Sequence, residues 1–209
     1  MELKPQTLEY LRHVSTATLC TQLFKRGFRN VYIQGITLRG AQFWQFHPVL
    51  SRYVMFDGVA TTNSGKGNND GLDPESCDHV VVKNSSIKAR DDAMAIKSGR
   101  DADGRRINVP TTNLVIVRTS MASSNWGMIT LGSELSAGIR GVYAYDIKVD
   151  AGDRVKYVLE LKGSSQRGGF ATDIMSGMRM ACSARLTRKW SETKNQTLSY
   201  SAFGRCPSL

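Results

Sequence analysis

The sequence predicts an all-β protein: a right-handed parallel β-helix in the form of a truncated solenoid, with a short N-terminal α-helical segment. Three observations predict it. Short β-branched runs recur with a loose period in the twenties, Gly, Asn and Ser separate them, and no helical pattern lies between them. Such a period is typical of stacked repeats that bury a common core. The competing fold is an antiparallel sandwich, which usually has tighter spacing and Asn-Gly hairpin turns.

The N-terminal segment, residues 1–28, has a helical pattern. Ser15 or Thr16 can cap a helix that ends before Gly27. One stripe of this helix is apolar and consists of Leu19, Leu23 and Phe24. We expect the helix, at about 16–26, to cover the first coil, because an open solenoid end invites aggregation.

The β-helical segment is predicted to span residues 29–182. Its successive coils are marked by Val31, Val54, Val81, Val115 and Val142, at steps of 23, 27, 34 and 27 residues. We expect parallel strands with these valines in or near one aligned core column. Residues 183–209 are predicted to form a basic, polar tail.

Composition limits the possible classes. A chain of 209 residues fits one ordinary domain, and a hydrophobic content of 41% suffices for a core. No apolar run approaches the ~20 residues of a membrane span, and the polar, Pro-broken start does not resemble a signal peptide. The chain as written is therefore expected to remain in the cytoplasm, without a membrane partner.

Cofactor and metal motifs are missing from the sequence. The four cysteines form no C-x-x-C pair, the three histidines are scattered, and neither a phosphate loop nor a dinucleotide fingerprint is present. We expect no cofactor and no metal.

The net charge of +10 indicates that the protein binds a negatively charged partner. Nucleic-acid binding would call for basic residues interleaved with aromatic ones on one element, whereas here Lys and Arg are spread along the chain. An anionic polysaccharide such as pectin would use the same attraction. Charge alone leaves both classes open.

Three aspartates carry the strongest chemical signal. Asp91 and Asp92 are adjacent and directly precede an apolar run, and Asp70 lies about twenty residues earlier. Hydrolysis of a glycosidic bond needs one protonated acid for the leaving oxygen and bases that activate water. The alternative is a solvated turn or a calcium-type cluster.

The order of several blocks resembles a known family. From about residue 29 to 170 the chain resembles the glycoside hydrolase family 28 polygalacturonases, which are right-handed parallel β-helices. The blocks are 37–44 with His47-Pro48, 68–77, Asp91-Asp92 with 97–99, 132–134, 138–142, Lys162 and 167–169.

The resemblance implies roles for five residues. Asp91 matches the general acid, and Asp70 and Asp92 match the carboxylates that hold and deprotonate the attacking water, so that the configuration is inverted. Asn68 would support the substrate or Asp70, and Lys162 would hold a galacturonate carboxylate. The implied partner is an acidic polysaccharide or oligosaccharide, with no nucleic acid, bound by a monomer. Family members are usually secreted or periplasmic.

Two departures from the family pattern predict weakened turnover. Trp126 stands where the family usually has the histidine of a Gly-His-Gly stretch, and Glu160 stands where it commonly has arginine. Trp126 cannot titrate, although it could form a sugar-stacking platform. An anion at Glu160 would repel a galacturonate carboxylate, so a less acidic substrate or slow turnover is expected.

A second resemblance concerns residues 14–34, which are similar to the N-terminus of the ribonuclease-activity-regulator/hydroxymethyl-oxoglutarate aldolase family. The active-site motifs of that family have no counterpart in residues 36–209, so a chimeric reading frame is the simplest explanation. The alternative functions are therefore a catalytically inactive glycan-binding β-helix, a regulatory aldolase-family fragment, or a calcium-dependent lyase.

Overall fold

The computed structural model describes residues 31–62, 67–150, 156–180, 184–191 and 197–204, together with residues 5, 6 and 9, and it describes side chains as far as residue 176. The helix predicted at about 16–26, and with it the proposed cap on the first coil, lies outside the described residues.

From residue 31 onward, the described part of the chain consists of strands of 3 to 13 residues and a seven-residue helix. In chain order the elements are β1 (Val31–Gln34), β2 (Thr37–Arg39), β3 (Arg52–Asp57), β4 (Ala60–Thr62), β5 (Asp78–Lys83), β6 (Ser86–Ala89), β7 (Met94–Ile96), α1 (Asp101–Ile107), β8 (Thr111–Ser123), β9 (Gly127–Gly132), β10 (Ile139–Asp150), β11 (Tyr157–Lys162), β12 (Ala171–Met180), β13 (Ala184–Ser191) and β14 (Thr197–Gly204).

The strands stack as coils, which confirms the predicted parallel β-helix. On one face β1, β3, β5, β8, β10 and β12 pair in parallel in that order. On a second face β2, β4, β6 and the later part of β8 do the same. On the third face β7, β9 and β11 are parallel, and β14 then pairs antiparallel with β11 and with β13. The antiparallel pair β13–β14 falls within the segment 183–209 that was predicted to be a tail.

The register of the first face defines the core column. Val31 pairs with Val54, Val54 with Val80, Val80 with Leu114, and Leu114 with Val142. Side chains of a strand point alternately to opposite faces, so a shift of one residue moves a side chain from the core to the outside.

Two of the five marker valines consequently lie beside this core column. Val81 and Val115 pair with each other one position further along their strands, and both are only half-buried. The spacing of the runs thus predicted the coils, but it did not fix which residue of each run points inward.

The core is continuous through the stack. Leu114 and Ile116 of β8 are fully buried, as are Leu72 and Met94 on the third face. Burial of such a side chain is worth roughly 1.5–3 kcal/mol. The backbone of Leu72 also bridges in parallel to Phe46 and to Met94, which aligns the turns that precede these residues.

Gly71 sits at the tightest contact between two of these turns. A Cβ atom at this position would lie 2.6 Å from the carbonyl oxygen of Ala93 and would also collide with the Ile87 side chain. A residue with a side chain would therefore push the two coils apart, and only glycine allows the close approach.

No helix within the described residues combines the length and the apolar character that are needed to cross a membrane.

Candidate active site

Stacked turns at the start of the third face bring the predicted aspartates onto adjacent coils. The carbonyl oxygen of Asn69 accepts hydrogen bonds from the backbone N–H groups of Arg90 (3.1 Å) and Asp91 (3.3 Å). The N–H of Gly71 donates to the carbonyl oxygen of Asp92 at 3.0 Å. Asp70 therefore lies one coil away from the Asp91–Asp92 pair.

Asp92 is buried next to a cation. Its Oδ2 atom lies 3.6 Å from Nζ of Lys162, and its Oδ1 atom accepts a hydrogen bond from the N–H of Gly127 at 3.1 Å. Burial raises the pKa of the Asp92 carboxyl above its ordinary value, while Lys162 and the Gly127 N–H oppose that rise.

Asp70 is buried as well, with 4% of its surface exposed. Burial raises the pKa of this carboxyl to about 7; the ammonium of Lys97 opposes the rise, and the charges of Asp92 and Asp91 add to it. Asp70 is therefore protonated in acid solution and becomes ionised near neutral pH.

Asp91 borders an open groove of about 600 Å³. Asp91 is half-buried, its carbonyl oxygen accepts a hydrogen bond from Ser123 Oγ at 2.6 Å, and Asn68 at the groove is exposed. The groove is lined by Gly67, Asn68, Arg90, Asp91, Asn125, Trp126 and Lys156. Among the three aspartates, Asp91 is the one that lines this groove.

Two ammonium groups lie close to the aromatic ring of Trp126. Nζ of Lys156 lies 3.6 Å from the centre of the indole ring and Nζ of Lys162 lies 4.8 Å from it. Both distances are within the range of cation–π attraction. An aromatic face flanked by ammonium groups suits a sugar ring that carries a carboxylate.

Glu160 is buried, whereas the sequence suggested that it faces the substrate. Its side chain is 3% exposed, and Oε2 accepts a hydrogen bond from Nε1 of Trp126 at 3.2 Å. Burial raises the pKa of this carboxyl, and the charge of Asp92 contributes to the rise while Lys162 opposes it. Glu160 thus supports the indole and does not line the groove.

A buried ionic network behind the aspartates was missed by the sequence reasoning. Nζ of Lys97 lies 3.5 Å from Oδ2 of Asp73 and 3.0 Å from Oε2 of Glu134, and Nη1 of Arg167 lies 2.8 Å from Oε1 of Glu134. The ring of Trp44 lies 4.2 Å from the Lys97 ammonium. All five residues belong to the blocks that carried the family resemblance, but nothing in the sequence indicated that they contact one another.

No group of three or more His, Cys, Asp or Glu side chains is arranged to hold a metal ion within the described ranges of the chain.

The family follows from a comparison of the sequence with known protein families. The profile of glycosyl hydrolases family 28 matches residues 16–150. The chain belongs to glycosyl hydrolases family 28. The family 28 match begins at residue 16 and so includes most of the segment 14–34, for which an aldolase-type resemblance was predicted.

Two curated relatives are polygalacturonases. A "Probable polygalacturonase" of Vitis vinifera is 35% identical over 166 residues, which are 77% of this chain and 32% of that protein. A "Polygalacturonase" of Ralstonia solanacearum is 28% identical over 109 residues, which are 52% of this chain and 19% of that protein. The family 28 chain thus spans a third or less of the length of these relatives.

Two solved structures share the fold. The hyperthermoactive exopolygalacturonase of Thermotoga maritima superimposes with a TM-score of 0.62 at 33% identity, over 72% of this chain and 36% of that one. The family 28 exopolygalacturonase of Yersinia enterocolitica gives a TM-score of 0.56 at 20% identity, over 73% of this chain and 27% of that one, and therefore bears on the fold alone.

Proposed function

We propose that this family 28 chain hydrolyses glycosidic bonds in pectin-type polysaccharide with inversion of configuration. Asp91 acts as the general acid, and Asp70 and Asp92 activate the attacking water. Lys162 binds a carboxylate of the substrate, and Asn68 contacts the substrate at the edge of the groove. The β-helical module at 29–182 carries this site.

One observation carries the proposal: a cluster of three aspartates on adjacent coils meets a groove whose aromatic wall is flanked by ammonium groups. An acid and a water-activating base on neighbouring carboxyls are the groups that inverting hydrolysis requires. The flanking cations fit a substrate that has a carboxylate in every repeating unit.

The different surroundings of the carboxyls support different roles. Asp91 is the aspartate that a bound sugar can reach from the groove, which suits the group that protonates the leaving oxygen. Asp92 has an ammonium and a backbone N–H at its oxygens, and both favour its ionised form. Asp70 supports water activation once it has lost its proton, so turnover requires a pH near or above 7.

We expect this chain to turn over substrate more slowly than a chain that has the histidine and the arginine of the family pattern. Trp126 replaces a histidine of that pattern and cannot exchange a proton with the acid. Glu160 replaces an arginine of that pattern, so one cation fewer accompanies Lys162 behind the groove. The aldolase-type resemblance of residues 14–34 remains a prediction and contributes no group to this site.

A second candidate function is a glycan-binding β-helix without activity. Trp126 favours it, because its ring is fixed by Glu160 and accompanied by Lys156 and Lys162, which suits sugar binding more than proton transfer. Under this alternative the chain would bind oligogalacturonate and release no reducing ends.

The deciding experiment compares the wild-type protein with Asp91→Asn on polygalacturonate at pH 7.5. We expect wild type to release reducing ends slowly, without an unsaturated product that absorbs in the ultraviolet, and Asp91→Asn to release none. The control is Asp103→Asn, which removes an equal charge from a side chain that is 83% exposed in α1. Binding without cleavage by wild type would favour the glycan-binding alternative, and an ultraviolet-absorbing product would indicate a lyase.

A further inference from the structure

Asp73 is the most deeply buried carboxyl of the site and has no role in the mechanism above. It has 0% exposure and follows Asp70 by three residues on the same bend, which Gly71 packs against the next coil. Its backbone N–H donates to the carbonyl oxygen of Phe46 at 2.7 Å, so this end of the bend is fixed to the preceding coil. The carboxyl is out of reach of a substrate in the groove.

The charges around Asp73 indicate that one of the two neighbouring carboxyls, Asp70 or Asp73, holds a proton. Lys97 is the ammonium next to it, at 3.5 Å, and the other carboxyl on Lys97, Glu134, is also held by Arg167. Lys97 is thus the cation that faces both Asp70 and Asp73. Two buried carboxylates beside one ammonium are an unfavourable arrangement, because like charges in a poorly solvated site cannot both ionise freely.

The lack of hydrogen-bond donors at the two side chains also indicates that Asp70 and Asp73 are not both ionised. If both side chains were ionised, three carboxylate oxygens would accept no hydrogen bond from any residue that the structure describes. These are both oxygens of Asp73 and Oδ1 of Asp70. A proton on one carboxyl supplies a donor, and the two side chains belong to one bend and lie three residues apart. Buried polar atoms left without a partner are costly.

The proton belongs on Asp73. Burial and the charge of Asp70 hold the pKa of Asp73 well above its ordinary value, and the hydrogen bond from Asp73 lowers that of Asp70. The other charged groups that act on this pair are Lys97, Asp91 and Asp92, and Asp92 is itself paired with Lys162.

We propose that Asp73 is a positioning residue, which keeps its proton and donates it in a hydrogen bond to the carboxylate of Asp70, so that Asp70 is oriented and ionised for water activation. This inference rests on the function proposed for Asp70. A role for Asp73 in packing alone would reduce activity equally at every pH, whereas the proposed donor acts on the pH dependence.

The experiment measures kcat/KM for polygalacturonate against pH in Asp73→Asn and Asp73→Ala. The amide of Asn can still donate to Asp70 and accept from Lys97, so its acid limb should stay within about 0.3 pH units of wild type. The Ala variant has no donor, and we expect its acid limb to move upward by about one unit. One unit corresponds to an approximately tenfold loss of activity at pH 6 relative to Asp73→Asn, with little difference at pH 8.5. An equal loss at every pH, or the same shift in both variants, would overturn the proposal.

A second measurement depends neither on turnover nor on the folding of Asp73→Ala. Carboxyl ¹³C chemical shifts of wild type, assigned with Asp70→Asn and Asp73→Asn, give the order in which the two groups lose their protons. We expect Asp70 to titrate first while Asp73 remains protonated; the reverse order would refute the inference even if Asp73→Ala does not fold. If Asp91→Asn keeps full activity while this order holds, the proposed hydrolytic mechanism fails and the hydrogen bond between Asp70 and Asp73 stands.

Discussion

The indole of Trp126 donates its N–H to the buried carboxyl of Glu160 across 3.2 Å. At both positions the sequence analysis predicts a departure from the family pattern, and the two side chains are in direct contact. The pair provides the indole N–H with an acceptor, and it gives the buried carboxyl of Glu160 a donor. The two substitutions therefore have to be considered, and tested, as one unit.

The first prediction concerns this pair. Trp126→His with Glu160→Arg restores the family pattern, and we expect it to raise reducing-end release from polygalacturonate by about 10- to 100-fold. The upper value is the lower end of the ~10²–10⁴-fold range that general acid–base assistance contributes. Each single change should do less, because Trp126→His alone leaves Glu160 buried without its donor, and Glu160→Arg alone removes the acceptor of the indole. Asp91→Asn in the double variant should abolish the gain. A folded double variant with wild-type activity would contradict the prediction, as would brisk cleavage by wild type.

The second prediction separates the two lysines at the indole. Lys156 lines the groove but has no ion pair with the site carboxyls, whereas Lys162 lies 3.6 Å from Asp92. We expect Lys156→Gln to raise KM for polygalacturonate about threefold to tenfold with kcat unchanged, because it removes attraction for substrate that does not change during the reaction. Lys162→Gln should lower kcat as well, because Asp92 loses the cation that favours its ionised form.

The control for the lysine prediction is Lys148→Gln on β10, an exposed residue outside the groove that changes the net charge equally. Highly methyl-esterified pectin should bind Lys156→Gln as well as wild type, because the ester carries no charge. An equal rise of KM in Lys148→Gln would indicate general electrostatic attraction in place of a local contact.

The third prediction concerns stability and pH. The pKa of Asp70 is about 7 in the folded protein against an ordinary 3.8, so the folded state binds more protons than the unfolded state between these values. The contribution of Asp70 to stability therefore falls as pH rises from about 4 to 7. Asp70→Asn should raise the free energy of unfolding by about 1 kcal/mol or more at pH 8 and by much less at pH 4. Each kcal/mol corresponds to a rise of roughly 2–4 °C in Tm.

Thermal unfolding of Asp70→Asn and of Asp103→Asn at both pH values checks this result. Asp103 is exposed and should give no comparable gain at either pH. A destabilised Asp70→Asn at pH 8 would show that the ionised carboxylate contributes favourably to the fold, contrary to the expectation.

The fourth prediction tests the register of the core. Leu114 is fully buried, whereas the adjacent Val115 faces outward and is half-buried. Leu114→Ala should cost about 2–5 kcal/mol of stability, because it leaves a cavity in the column that Val80 and Val142 share. Val115→Ala should cost about 1 kcal/mol or less, since its side chain has room to be replaced by water. Chemical denaturation of the two variants gives both values, and comparable costs would contradict the register.

The sequence by itself determined the architecture and the chemical groups of the candidate site. The recurrence of Val31, Val54 and Val142 predicted parallel coils, because a repeat that cannot bury its apolar face alone must stack on its neighbours. The block order predicted family 28 and assigned the three aspartates. Their placement on adjacent turns follows from the stacking of coils. The markers Val81 and Val115 were placed one residue away from the inward position, because both lie in runs of consecutive apolar residues, which contain no alternation from which the buried face could be identified.

The tertiary structure alone decided which charges meet. Glu160 was expected to face the substrate, but it lies behind Trp126, since the direction of a side chain depends on which face of β11 is covered. Lys97 contacts Asp73 and Glu134, 24 residues before and 37 residues after it in the sequence. Sequence spacing cannot predict such contacts, because residues far apart along the chain become neighbours only through the register between coils. The protonation of the Asp70–Asp73 pair follows from the same cause, since burial and neighbouring charges exist only after the coils have stacked.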